Sequence, residues 1–386
     1  MTGTKALLNF IRDIYQSTGP IPLHAPQFND AEKTSLLACL DSTFVSSVGP
    51  FVDQFEQEMA VFCQSSRAVA TVNGTAALQA ALHLAGVGQG DIVITLALTF
   101  VATCNAVHFL GATPAFVDVS PISLGLCPDA LQQFLTEQCG KNSAGNTVLR
   151  STGQKIGAVV PMHTFGHPVQ LDEIVAICSE WQLPLIEDAA ESLGSFYRGQ
   201  HTGTFGRFGA LSFNGNKIIT TGGGGMVLCQ QIEDGVHCKH VTTTAKVAHP
   251  YQFFHDEVAF NFRLPNLNAA LGCAQLTKLP SYLANKRALA GLYQSFLQDS
   301  DYQFVAEPAY AKSSYWLNAV ICADEQQQQQ LLKHSNDHGI MTRPVWELMH
   351  HLPMYKDCPR GSLSHSEWLA KRLVNLPSSV APGIQP

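Results

Sequence analysis

One lysine in this chain has an unusual setting. Lys217 closes the run Ser212-Phe213-Asn214-Gly215-Asn216-Lys217, and Thr220-Thr221-Gly222-Gly223-Gly224-Gly225 follows it. The surroundings are apolar and glycine-rich, with no carboxylate close by in sequence. Desolvation lowers a lysine's pKa and favours the neutral amine that imine chemistry needs. A surface lysine on a flexible turn is the plainer alternative, although four consecutive glycines argue for a close backbone approach or a hinge. A second group is Ile186-Glu187-Asp188-Ala189-Ala190-Glu191. An acid at the carboxyl end of a buried strand meets a ligand rather than water, and it can bind a metal, orient a base or pair with a ring nitrogen. Either Glu187 or Asp188 can equally be a helix cap. The third group is Asn73-Gly74-Thr75-Ala76-Ala77. There a glycine permits a tight turn and the free N–H groups of a helix start attract an anion. Thr75 adds a hydroxyl donor, or merely caps the helix. Taken together, the three supply an anion cradle, an acid and a lysine in chain order.

These groups need a frame. Between residues 68 and 229 short β-branched runs alternate with amphipathic stretches. Strands are expected at 68–72, 91–97, 114–119, 156–162 and 226–229, with helices at 76–85, 128–138 and 170–181. The short apolar runs 184–186 and 210–213 lead into the acid pair and the lysine loop. Such alternation predicts a mostly parallel α/β sheet with helices on both faces, and ligands of such sheets sit beyond the carboxyl ends of the strands. The missing G-x-G-x-x-G after the first strand counts against a nicotinamide-dependent oxidoreductase. Past residue 251 longer helical patterns take over, at 267–279 and 285–298, so a division into 1–250 and 251–386 is expected. The glutamine run 326–330 reads as one exposed helix face.

Composition narrows the class. The chain has 386 residues, 46% apolar and only 14% charged, with a net charge of −7 and no lysine or arginine run. That is enough apolar content for a large core, and the low charge points to a surface covered by a partner subunit. Nucleic acid is an unsuitable partner, since phosphate backbones need clustered positive charge. None of the eleven cysteines forms a C-x-x-C pair, so reduced thiols in a cytoplasmic protein are expected, with no metal. The apolar runs stop short of the ~20 residues of a membrane span.

With these residues in place, the chain resembles the sugar-nucleotide aminotransferases of the DegT/DnrJ/EryC1/StrS family, within fold type I of the pyridoxal phosphate enzymes. The motifs that carry the resemblance are N-G-T-A-A-L, E-D-A-A-E, S-F-N-G-N-K-I-I-T-T-G and F-N-F-R-L-P-N-L-N-A-A-L-G, and it spans Ile21 to Ser379. V-S-S-V-G at 45–49 and T-R-P-V-W at 342–346 are similar to the LegC-type branch. The resemblance implies a large domain with a mostly parallel seven-stranded sheet between helices, preceded by an N-terminal substrate segment, and a smaller C-terminal α+β domain. It implies pyridoxal 5′-phosphate as cofactor, held through Lys217 as a Schiff base. Asp188 would pair with the pyridine nitrogen, Phe100 would stack on the ring and Glu191 would lie near its hydroxyl. Gly74, Thr75 and Ser212 would bind the phosphate, and Asn261 would reach the phosphate of a neighbouring subunit in a homodimer. Ser47, His163, Tyr251, Arg343 and His350 are the expected substrate contacts. The implied reaction moves an amino group from L-glutamate to a nucleotide-linked keto-sugar, as in legionaminic-acid-type or bacillosamine-type surface glycans. A sugar dehydratase on the same scaffold and a non-catalytic cofactor-binding regulator are the alternatives. Lys217 argues against the first, because those dehydratases carry histidine there. One departure is Gly223, where many relatives have glutamate.

Overall fold

Residues 3–384 are described by a computed structural model. The alternating segments of the first 230 residues form seven strands: β1 (Arg67–Thr71), β2 (Ile92–Leu96), β3 (Thr113–Val117), β4 (Ile156–Val159), β5 (Ile186–Asp188), β6 (Phe208–Ser212) and β7 (Gly225–Cys229). Strand β7 lies antiparallel between β1 and β6, and β6 runs parallel to β5. Parallel bridges Val159 to Leu185 and Met162 to Asp188 join β5 to β4, which pairs in parallel with β2, and β2 with β3. The result is one mostly parallel sheet in the order β1-β7-β6-β5-β4-β2-β3.

Side chains on successive strand residues point to opposite faces, and here both faces are dry, as parallel sheets require. Val69, Val93, Ala158, Ile186, Phe208 and Val227 pack on one side with Ala77 and Ala81 of the helix Gly74–Leu84. Ala70, Ile94, Leu211 and Leu228 pack on the other, with Phe55 and Met59 of the helix Pro50–Cys63.

A four-stranded antiparallel sheet forms near the C-terminus from Gln303–Phe304, Asn318–Ile321, Leu373–Leu376 and Arg343–Pro344. Its cluster contains Val320, Leu331 and Leu376, and also Leu7, Leu8 and Ile11 of the first helix, Thr4–Tyr15. That helix therefore packs with the C-terminal residues rather than with the sheet of residues 67–229, which a split at 250/251 does not capture. The helices expected at 267–279 and 285–298 are one, Asn266–Leu297, which continues through Pro280. Its first half is buried with the large core through Cys273, Leu276 and Leu279, and its second half with the small one through Leu289, Tyr293 and Leu297. Packing at both ends outweighs the hydrogen bond that proline cannot make. The glutamine run is not a purely exposed face either. Gln328 is buried and its amide donates to the carbonyls of Ala370 and Leu373 at 2.9 and 3.0 Å. No helix among the described residues is long and apolar enough to cross a membrane.

Candidate active site

The carboxyl ends of β1, β5 and β6 meet at one edge of the sheet, where Thr71 and Ser212 both register with Gly225 and Ala210 registers with Asp188. A cavity of about 390 Å³ opens there, and Gly74, Thr75, Phe100, Asp188, Glu191, Ser212 and Lys217 all line it.

The acid pair is sorted by strand geometry. Neighbouring residues of a strand face opposite ways, so Glu187 and Asp188 have different environments. Glu187 is fully buried; its carboxylate accepts from the backbone N–H groups of Gly203, Phe205 and Gly206 at 2.7 to 2.8 Å, and its Oε2 meets His163 Nε2 at 3.0 Å. Burial alone would raise this carboxyl, but the hydrogen bonds from His163, Gly206 and Gly203 outweigh it and hold the group low. Asp188 faces the cavity. It accepts from Thr103 Oγ1 at 2.7 Å and from the Ala190 N–H at 3.2 Å, and burial pushes its carboxyl up.

Lys217 meets a carboxylate brought from elsewhere in the chain. Its Nζ lies 3.6 Å from Glu191 Oε1 and 3.8 Å from the centroid of the Trp316 ring. Trp316 is fixed in turn, because its indole N–H donates to the Asn216 carbonyl at 2.7 Å. Burial lowers the lysine's pKa, while the charges of Glu191 and Asp188 hold it up. Burial also raises Glu191 to about 7, partly offset by Lys217 and by the Phe165 N–H that donates to its Oε2 at 2.9 Å. A lysine pressed down beside a carboxyl pressed up is suited to passing a proton back and forth.

The third group forms a cradle. Asn73 caps the helix Gly74–Leu84 by accepting from the Ala76 N–H at 2.8 Å. The N–H groups of Gly74 and Thr75, at the helix start, have no acceptor within the helix. A Cβ built on Gly74 would lie 2.8 Å from Ser212 Cβ, and one on Gly225 would lie 2.3 Å from the Asn73 carbonyl oxygen. Glycine at both positions lets the serine hydroxyl approach the helix start. Gly223 differs, since a Cβ there would meet nothing within 4 Å.

The expected substrate contacts are not at this cavity. His163 is fully buried behind Glu187, and its Nδ1 accepts from the Val169 N–H at 3.2 Å, so both ring nitrogens are engaged inside the core. Arg343 is exposed and donates to Asn336 Oδ1 and the Thr342 carbonyl, both at 2.9 Å. His350 Nε2 meets Glu367 Oε1 at 2.7 Å. Ser47 and Tyr251 lie outside the lining, Tyr251 being 80% exposed. Asn261, expected at the cofactor, is also exposed and accepts from Arg263 Nε at 2.8 Å. Sequence reasoning missed Thr103, Trp316 and Trp346, which line the cavity. Thr103 stands three residues after Phe100, and Trp346 closes the motif T-R-P-V-W, whereas Trp316 had no local signal.

The model of the DegT/DnrJ/EryC1/StrS aminotransferase family matches residues 26–382. The chain belongs to that family. It is 34% identical over 358 residues to GDP-perosamine synthase of Escherichia coli O157:H7, covering 93% of each chain. It is also 34% identical over 366 residues to the putative pyridoxal phosphate-dependent aminotransferase EpsN of Bacillus subtilis, covering 93% of this chain and 90% of that one. Among solved structures, aminotransferase TlmJ from Streptoalloteichus hindustanus is similar with a TM-score of 0.84 and 27% identity, over 93% of this chain and 94% of that one. This DegT-family member is a sugar aminotransferase, and its cofactor is pyridoxal phosphate.

The residues present fit that group. The cradle at Gly74 and Ser212 suits a phosphate, and the cavity holds a buried carboxylate and an amine depressed by burial. Gly74→Ala tests the cradle: the added methyl pushes the helix start away from Ser212. Losing one hydrogen bond to a charged group costs about 1.5–3 kcal/mol, so cofactor affinity should fall roughly 10- to 100-fold in an absorbance titration. Unchanged affinity would place the phosphate elsewhere.

Proposed function

We propose that this enzyme takes an amino group from L-glutamate and delivers it to the C4 ketone of a UDP- or GDP-linked 4-keto-6-deoxy-N-acetylhexosamine, for a surface glycan of the legionaminic-acid or bacillosamine type. The observation that carries the reading is Lys217 Nζ held between Glu191 and the Trp316 face, in the cavity that Asp188 also lines. When bound, pyridoxal phosphate supplies an electron sink for the carbanion left when a proton leaves the carbon bearing the nitrogen. The chain supplies the rest. Lys217 moves the proton between that carbon and its own amine, a role typically worth ~10²–10⁴ in rate. Glu191 steadies the lysine's charge. Asp188, once a cationic ring nitrogen faces it, holds that nitrogen protonated. Gly74, Thr75 and Ser212 hold the phosphate, and Phe100 and Trp346, with ring centroids 6.3 Å apart, wall the open side.

A homodimer is part of the reading. Tyr251, Phe253 and Val258 are 80, 83 and 93% exposed just before Asn261, and a run of exposed apolar side chains marks an interaction surface. A second copy covering it would bring Asn261 to the neighbour's phosphate. Support for the sugar class comes from the GDP-perosamine synthases among the relatives, and support for the N-acetylated ring from the V-S-S-V-G and T-R-P-V-W segments.

The test has two stages. L-glutamate should bleach the visible imine band of the purified enzyme, after which UDP- and GDP-linked 4-keto-6-deoxy sugars, with and without a 2-acetamido group, are offered in turn. Return of the band with only an N-acetylated sugar supports the reading, while return only with a GDP-linked 4-keto-6-deoxy sugar lacking the 2-acetamido group overturns the N-acetyl assignment. A band that glutamate leaves untouched rejects the donor.

A further inference from the structure

Away from the lysine, the structure assembles His350, His351 and Glu367, whose ligand atoms all lie within 4.8 Å of one another. The two imidazole Nε2 atoms converge on one carboxylate oxygen. Glu367 Oε1 lies 2.7 Å from His350 Nε2 and 3.0 Å from His351 Nε2. The other nitrogen of His351 is engaged as well, since Nδ1 lies 2.6 Å from Glu347 Oε1. A carboxylate on the far nitrogen of an imidazole fixes the tautomer whose Nε2 lone pair is free for a metal, the usual second partner of a metal-binding histidine.

The scaffold under the cluster is rigid. The short helix Met349–His351 hangs from the sheet through the Met349 N–H, which donates to the Ala97 carbonyl at 2.9 Å just beyond β2. The helix Ser364–Ala370, which carries Glu367, is held by Asp118, just beyond β3. Asp118 accepts from the His365 and Ser366 N–H groups at 2.8 Å and from Ser366 Oγ at 2.6 Å. Both ligand-bearing pieces are therefore fixed to neighbouring strands, the preorganisation that a metal site needs. The surface pairs His237 with Glu257 and His240 with Asp256 give each carboxylate one imidazole only.

We propose that His350, His351 and Glu367 bind one zinc ion through two imidazole nitrogens and a carboxylate oxygen, with water in the fourth position. Two nitrogens and one oxygen suit a borderline cation such as Zn²⁺, and a three-residue set leaves an open position. Coordination through the two Nε2 atoms requires each to give up any proton it carries, to its own ring's other nitrogen or to solvent, with no change of oxidation state. The ion ties the helix Ser364–Ala370 to the segment that begins at Trp346 in the cavity wall.

Zinc uptake by the holoenzyme, in competition with a chromogenic chelator at pH 7.5, tests this. The native chain should take one ion tightly and melt at a higher temperature with it. His351→Ala and Glu367→Ala, at half-exposed positions, should each bind at least ~10-fold more weakly and lose the thermal shift, with circular dichroism unchanged. His237→Ala should match the native chain. Equal zinc binding by the native chain and the Glu367→Ala variant, or an equal loss in His237→Ala, would overturn the site.

Discussion

Lys217→Ala should lose turnover with L-glutamate by at least about 10⁴-fold, the upper end of what one positioned acid–base group contributes, and the visible imine band should vanish with it. The fold should survive. The lysine's amine meets Glu191 and the Trp316 face, both at the cavity, and a depressed lysine pKa means that burying its charge costs stability. The melting temperature of the cofactor-free variant should therefore equal or exceed that of the native chain. A variant that keeps both turnover and the band removes Lys217 from the chemistry; one that loses both through unfolding would show in the melt.

The neighbouring acid pair leads to the opposite expectation. Glu187→Ala should unfold the protein more easily by about 3–5 kcal/mol, the cost of leaving buried partners uncompensated, read from the denaturant midpoint. Three backbone N–H groups and His163 lose their acceptor together. The sign of the pH dependence follows from the low folded pKa of Glu187. Its stabilisation is complete above the unfolded value of about 4.3 and is lost as pH falls through the folded value. The variant should lack that component of acid destabilisation. A midpoint within 0.5 M urea of the native value, roughly 1 kcal/mol at a slope of ~2 kcal/mol/M, would show that Glu187 is not the anchor its hydrogen bonds describe.

This contrast marks what could be read from residues alone. Lys217, Asp188 and the Gly74 turn sit at strand ends, where local patterning already implies the carboxyl edge of a sheet. Which of Glu187 and Asp188 faces the cavity depends on the face each takes in β5, and the apolar run alone did not state that register. Trp316 comes from a loop about a hundred residues after the lysine, so only the tertiary fold brings it there. The packing of the first helix, Thr4–Tyr15, on the C-terminal cluster is likewise a product of the tertiary fold. The resemblance places His163 at the substrate, yet its ring is buried in the core against Glu187. Arg343 and His350 are expected at the substrate from the resemblance, and their place in space follows from local partners that no spacing rule reveals.

The helix Asn266–Leu297 has a thermodynamic meaning beyond its shape. One half is buried with the large core and the other with the small one, and over 32 residues it spans roughly 48 Å. Melting either core strips apolar cover from a rod that the other still needs. The free energy of each body is thus coupled to the other's through a shared element, and the chain gains or loses both together as one cooperative unit.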